Sequence, residues 1–187
     1  MQDPDEVLMD ADERMDGAVN ALRRDLAGVR TGRAHPSLVE SLHVDYYGAQ
    51  TPLKQLASIA APEPRLLTIQ VWDRNAVKAV EKAIQSSDLG LNPSVDGQII
   101  RLVIPPLSEE RRKELVKHVH HRVEEARVAV RNVRRHAHDE LRRLHKEGVL
   151  SEDELRRYEH DLQELTDRHI REIDAEGKRK EHELLEV

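Results

Sequence analysis

The sequence predicts an α+β protein, a long three-helix bundle interrupted by a small inserted β/α/β domain. Apolar residues recur at helical spacing near both ends of the chain, while short β-branched runs occupy its middle. Aromatics make up 2% of the 187 residues and Phe is absent, so the core must come from Leu, Val, Ile and Ala. That composition suits long helices better than an aromatic-rich sandwich.

The first helix is predicted over 5–29, with Leu8, Ala11, Met15, Ala18, Leu22, Leu26 and Val29 as its buried stripe. The second runs from 107 to 147, where Val116, Val119, Val123, Ala126, Val130, Val133, Ala137, Leu141 and Leu144 alternate in steps of three and four. Ser108 behind Pro105-Pro106 caps its start and Gly148 stops it, giving a rod about 60 Å long. Ser151-Glu152-Asp153-Glu154 is a capping box opening a third helix, striped by Leu155, Tyr158, Leu162, Leu165, Ile170 and Ile173. Only Gly148-Val149-Leu150 joins the second helix to the third, so the two run antiparallel.

Residues 30–106 have a different texture. Val44-Asp45-Tyr46-Tyr47 before Gly48 reads as a strand and turn, and Leu66 to Trp72 as a second strand. Ala76 to Ile84 is a short amphipathic helix, Gly90 marks the turn after it, and Ile99 to Ile104 is a closing strand. The expected division is therefore a bundle of 1–29 with 107–187, and an inserted domain of 30–106. The chain crosses between them twice, at Arg30-Thr31-Gly32 and at Ile104-Pro105-Pro106, and two neighbouring crossings make a hinge.

Charge narrows the function. The net charge is −6, yet residues 111–146 carry 12 basic and 5 acidic groups, and 22 of the 30 cations are Arg. Arg127, Arg131, Arg134, His138 and Arg142 fall in one line beside the Val/Ala seam. With Arg122 and Arg135 they form a run that contains no acid between 126 and 138. Such a face suits a nucleic-acid backbone, held by phosphate contact and shape because stacking aromatics are missing from it. The alternatives are a coiled-coil adaptor whose arginines bridge to a protein partner, and a nucleic-acid-binding enzyme.

Catalysis has little support. The chain has no cysteine, Walker loop, Gly-x-Gly-x-x-Gly or His-Glu-x-x-His, so no enzyme activity, cofactor or metal is expected. Among eleven histidines, His118 and His121 with Glu125 have ligand spacing, but His120 and His118 face different ways. The histidines read better as surface groups supplementing the basic face. No apolar run approaches the length of a membrane span, and the acidic start is unlike a signal or transit peptide, so a cytoplasmic protein is expected.

Longer motifs add a resemblance. Arg30-Thr31-Gly32-Arg33-Ala34, Tyr46-Tyr47-Gly48, Thr51-Pro52-Leu53 and Val80-Glu81-Lys82-Ala83-Ile84 stand in order along the chain. Asp88 to Pro93, Pro105 to Lys113 and Ala126 to Arg135 follow. From about Asp10 to Val187 the chain resembles the bacterial ribosome recycling factor family. The resemblance implies an L-shaped, transfer-RNA-like monomer that is not an enzyme. It implies binding to the post-termination ribosome through large-subunit ribosomal RNA. With elongation factor G and GTP, such a factor splits the subunits, releasing messenger RNA and deacylated transfer RNA. The residues that match the family's RNA-contacting positions are Arg127, Arg131, Arg134 and Arg135, with Arg111 and Arg30 near the hinge. His136 and His138 depart from the family pattern toward a more basic face. Gly177 stands where a larger apolar residue is usual, and predicts a frayed end to the third helix.

Overall fold

The computed structural model describes residues 3–186. In chain order its elements are α1 (Pro4–Ala27), β1 (His43–Tyr46), β2 (Ala49–Pro52), β3 (Ala57–Glu63), β4 (Leu66–Val71), α2 (Val77–Gln85), β5 (Pro93–Asp96), β6 (Ile99–Val103), α3 (Glu109–Lys146) and α4 (Glu152–Leu185). The chain divides into two compact units, one joining the segment up to Arg30 with that from Glu109, the other spanning Thr31–Ser108. The division falls at 30/31 and 108/109, where 29/30 and 106/107 were expected. Leu107 explains the later second boundary, because its side chain lies against Gly32 and so belongs with the inserted unit.

The first unit is a bundle of α1, α3 and α4. Two of these helices start where the sequence supplies a side-chain cap. Asp3 Oδ1 accepts from the Asp5 N–H at 2.9 Å, and Ser151 with Glu154 forms the reciprocal capping box. Partners along the helices fix their directions. His120 pairs with Glu181, Arg127 with Asp174 and His138 with Glu159, so α3 and α4 are antiparallel. Tyr158 bonds Asp5 and Arg23 bonds Glu176, so α1 and α4 are parallel. The tight α3–α4 turn depends on Gly148 at φ 79°, a conformation that costs glycine nothing, and on Val149 N–H donating to Leu144 O.

The buried stripes differ from expectation at identifiable positions. In α1 they are Val7, Ala11, Met15, Val19, Leu22 and Leu26. Leu8 and Ala18 sit only partly covered, because α1 touches both other helices and its apolar arc is wide. In α3, Leu115 is buried in place of Val116, and the other eight expected positions are all buried. In α4 the buried set is Leu162, Thr166, His169, Ile173, Gly177 and Leu184, while Leu155, Tyr158, Leu165 and Ile170 are half-buried. The frayed end predicted from Gly177 does not occur. The helix continues to Leu185, with Gly177 buried against Val123.

The inserted unit holds more strand than the sequence predicted. A hairpin of β1 and β2 turns at Tyr47-Gly48, and a separate antiparallel sheet has the order β3-β4-β6-β5. Leu67 pairs with Leu102 and Ile69 with Ile100, which places these apolar side chains on one sheet face. The core gathers them with Val71 and with Val77, Val80 and Ile84 of α2. Polar Gln70 and Arg101 alternate onto the opposite face and are exposed.

Candidate nucleic-acid interface

The basic residues of α3 occupy an arc rather than a single line, and the structure divides it in two. At about 100° per residue, Arg134, Arg127 and His138 lie on the side toward α4, and Arg131, Arg142 and Arg135 lie further round. The inner trio is engaged. Arg127 donates from Nε (2.8 Å) and Nη2 (2.6 Å) to Asp174 Oδ1, and from Nη1 to Glu124 Oε2 at 3.1 Å. These bonds, Asp174's foremost, raise the Arg127 pKa above its ordinary value. Arg134 donates to the neutral Gln163 Oε1 at 3.3 Å, and His138 lies 3.5 Å from Glu159.

The outer trio is open. Arg131 is 47% exposed and only 3.6 Å from Glu124 Oε1, an oxygen of a carboxylate already bonded to Arg127. Arg135 and Arg142 are exposed and carry no ion pair among the described residues. Positive charge available to a ligand is therefore concentrated from Arg131 toward Arg142. The acid-free run in the sequence conceals this, because Asp174 and Glu159 arrive from α4. Those groups, with Gln163, were missed. They face α3 at helical spacing, but only the packing register assigns them their partners.

The remaining candidate positions lie apart from this arc. Arg111, exposed near the start of α3, donates to Glu114 Oε2 at 2.9 Å. Arg30 is partly buried at the end of the bundle's first segment. Of the positions expected to form a hinge, Thr31 and Gly32 are partly buried, Ile104 is fully buried with its N–H on Arg65 O at 2.8 Å, and Pro105 and Pro106 are exposed. The histidines differ in setting. His120, His121, His160 and His182 are exposed and sit beside carboxylates, at 3.2, 2.9, 3.2 and 3.1 Å. His121 thus meets Glu125 alone, without His118. His169 breaks the expectation of surface histidines and is 2% exposed. Among the described residues no helix is long and apolar enough to cross a membrane.

Comparison with known proteins places this architecture. The family model of ribosome recycling factor matches residues 22–185. The ribosome-recycling factor of Thermomicrobium roseum is 60% identical over 183 residues, covering 98% of this chain and 99% of its own. That of Geobacillus kaustophilus is 58% identical over 182 residues, covering 97% and 98%. The solution structure of a ribosome recycling factor matches all of both chains with a TM-score of 0.78 at 46% identity. A second structure holds the T. thermophilus ribosome recycling factor and E. coli elongation factor G bound to the E. coli post-termination complex. Its recycling factor matches 99% of this chain and all of its own, with a TM-score of 0.67 at 49% identity. A three-helix bundle carrying a small antiparallel sheet domain, matched along nearly its whole length, belongs to the ribosome recycling factor family.

Proposed function

We propose that this protein binds the post-termination ribosome through large-subunit ribosomal RNA and, with elongation factor G and GTP, splits it into subunits. Messenger RNA and deacylated transfer RNA are released for a new round of translation. The observation that carries the reading is the outer arc of α3, where Arg131, Arg135 and Arg142 present guanidinium groups that no buried acid neutralises. Planar guanidinium forks match phosphate oxygens in pairs, and a rigid helix holds them at fixed intervals along an RNA backbone. The relative bound to a post-termination complex with elongation factor G supports the same partners.

The protein acts as a cytoplasmic monomer and is not an enzyme; GTP hydrolysis belongs to elongation factor G. Arg127 and Arg134 hold α3 and α4 together behind the contact face, while Arg111 and Arg30 are separate RNA contacts near the joint. That joint consists of Arg30, Thr31 and Gly32 on one crossing and Ile104, Pro105 and Pro106 on the other. Reorientation there couples the elongation factor's stroke to the docked bundle. Sedimentation with 70S ribosomes across a salt titration tests the binding step. Co-pelleting that weakens steadily with salt is expected from phosphate contact, whereas a protein-bridging adaptor would remain in the supernatant.

A further inference from the structure

We propose that Asp16, His169 and Glu172 form a binding site for a divalent transition metal, with Asp12 orienting the histidine. His169 projects from α4 toward α1 and is 2% exposed. A neutral imidazole carries one N–H and one bare lone pair. Its Nε2 lies 2.7 Å from Asp12 Oδ1, and an ionised carboxylate can only accept, so in the neutral ring the proton is on Nε2. Nδ1 is left with its lone pair, buried and without any hydrogen-bond partner. A carboxylate oxygen, itself an acceptor, lies close to it, Glu172 Oε2 at 3.6 Å. That leaves, between a buried ring nitrogen and a carboxylate oxygen, a position that a proton or a metal cation can occupy.

The geometry suits such a cation. One donor atom from each of Asp16, His169 and Glu172 lies within 4.8 Å of the others. Ligands 2.0–2.2 Å from a tetrahedral centre are about 3.3–3.6 Å apart, so His169 and Glu172 are close to final positions. The exposed Asp16 carboxylate on α1 supplies the third ligand. Metal-bound histidines characteristically pass their other N–H to a carboxylate, the part taken by Asp12. Arg168 holds that carboxylate from outside, with Nη2 2.9 Å from the same Oδ1. It approaches Glu172 only through Oε1, at 3.9 Å, which leaves Oε2 to the metal. One imidazole with two carboxylates selects zinc, cobalt or nickel over magnesium and calcium. Bound there, the ion clamps α1 to α4 and stabilises the folded bundle by mass action.

The full-length protein, stripped with chelator and titrated with zinc, supplies the test. One equivalent should bind, raise the melting temperature, and move the His169 Nδ1 resonance in a long-range 15N–1H spectrum. Cobalt should give visible absorption of a four-coordinate centre. Asp16→Asn and Glu172→Gln, both on accessible side chains, should leave the metal-free melt nearly unchanged and each weaken binding about tenfold or more. His121→Gln, which removes an exposed His–Glu pair, should leave affinity unchanged. No shift of the melt or of the Nδ1 resonance at saturating zinc would overturn the proposal. Binding that survives both carboxylate variants, or disappears in His121→Gln, would overturn it equally.

Discussion

Gly177 on α4 and Val123 on α3 approach so closely that a Cβ on the glycine would lie 2.6 Å from Val123 Cγ2. Both residues are buried, so the glycine sets the spacing of the two long helices beneath the basic arc. Alanine would gain about 1 kcal/mol of helix propensity there. Against that, valine in a helix has one strongly favoured rotamer and cannot swing aside, and overpacking costs about 1–3 kcal/mol. Gly177→Ala is therefore expected to lower stability by about 1 kcal/mol in urea unfolding. Adding Val123→Ala should cost less in that background than in the native one. A Gly177→Ala protein more stable than the parent would show that the helices part freely.

The two halves of the arginine arc should respond oppositely to mutation. Arg127→Ala removes a partly buried guanidinium bonded to Asp174 and Glu124, and should cost about 1 kcal/mol in stability. Arg131→Glu should change stability by less than about 0.5 kcal/mol while abolishing ribosome pelleting. Thermal melts paired with sedimentation separate the effects. A large drop in melting temperature for Arg131→Glu would make that residue structural.

Acid should loosen the inserted unit through Asp73. The Asn75 N–H donates to its Oδ1 at 2.9 Å and the Tyr46 hydroxyl to its Oδ2 at 2.8 Å, and these bonds hold its pKa below the ordinary 3.8. A depressed folded-state pKa contributes stability that is complete above the unfolded value and lost as pH falls through the folded one. The unit should accordingly weaken below about pH 3.8, and Asp73→Asn should remove that part of the acid transition. The same bond raises the Tyr46 pKa, so its contribution persists at neutral pH and is lost only as pH rises through that raised value. Circular dichroism across an acid titration of both proteins gives the comparison. Identical curves would assign the acid sensitivity elsewhere.

Legibility in the sequence tracks how much each residue depends on its neighbours. The α3 stripe is readable because steps of three and four bury Val and Leu on one face whatever packs there. The α4 stripe is not, because Thr166, His169 and Gly177 are buried only through what α1 and α3 bring to them. Strands β2, β3 and β5 escape notice for a related reason. Ala-Gln-Thr-Pro, Ala-Ser-Ile-Ala-Ala-Pro-Glu and Pro-Ser-Val-Asp carry few β-branched residues, and β3 and β5 are sheet edges that tolerate proline. At the interface the arginine positions are visible at once. Their division into engaged and open groups requires the α3–α4 register, which pairs Arg127 with Asp174 and leaves Arg135 with no ion pair among the described residues.

The joint proposed at the two crossings yields a separate expectation, readily examined because the chain has no cysteine. A disulfide engineered between the 31–32 and 104–106 segments, which spares Arg30, should leave ribosome affinity within a few-fold, since the basic arc lies wholly on α3. Splitting should stop until the bond is reduced. Full splitting by the oxidised, cross-linked protein would remove reorientation from the mechanism.

Light scattering of 70S ribosomes mixed with this protein, elongation factor G and GTP addresses the central claim most directly. Scattering should fall as subunits separate, only when all three additions are present, and Arg131→Glu should leave it unchanged at the same concentration. No fall with the native protein, or an undiminished fall with Arg131→Glu, would contradict the assignment of ribosome splitting to this chain and its α3 arc.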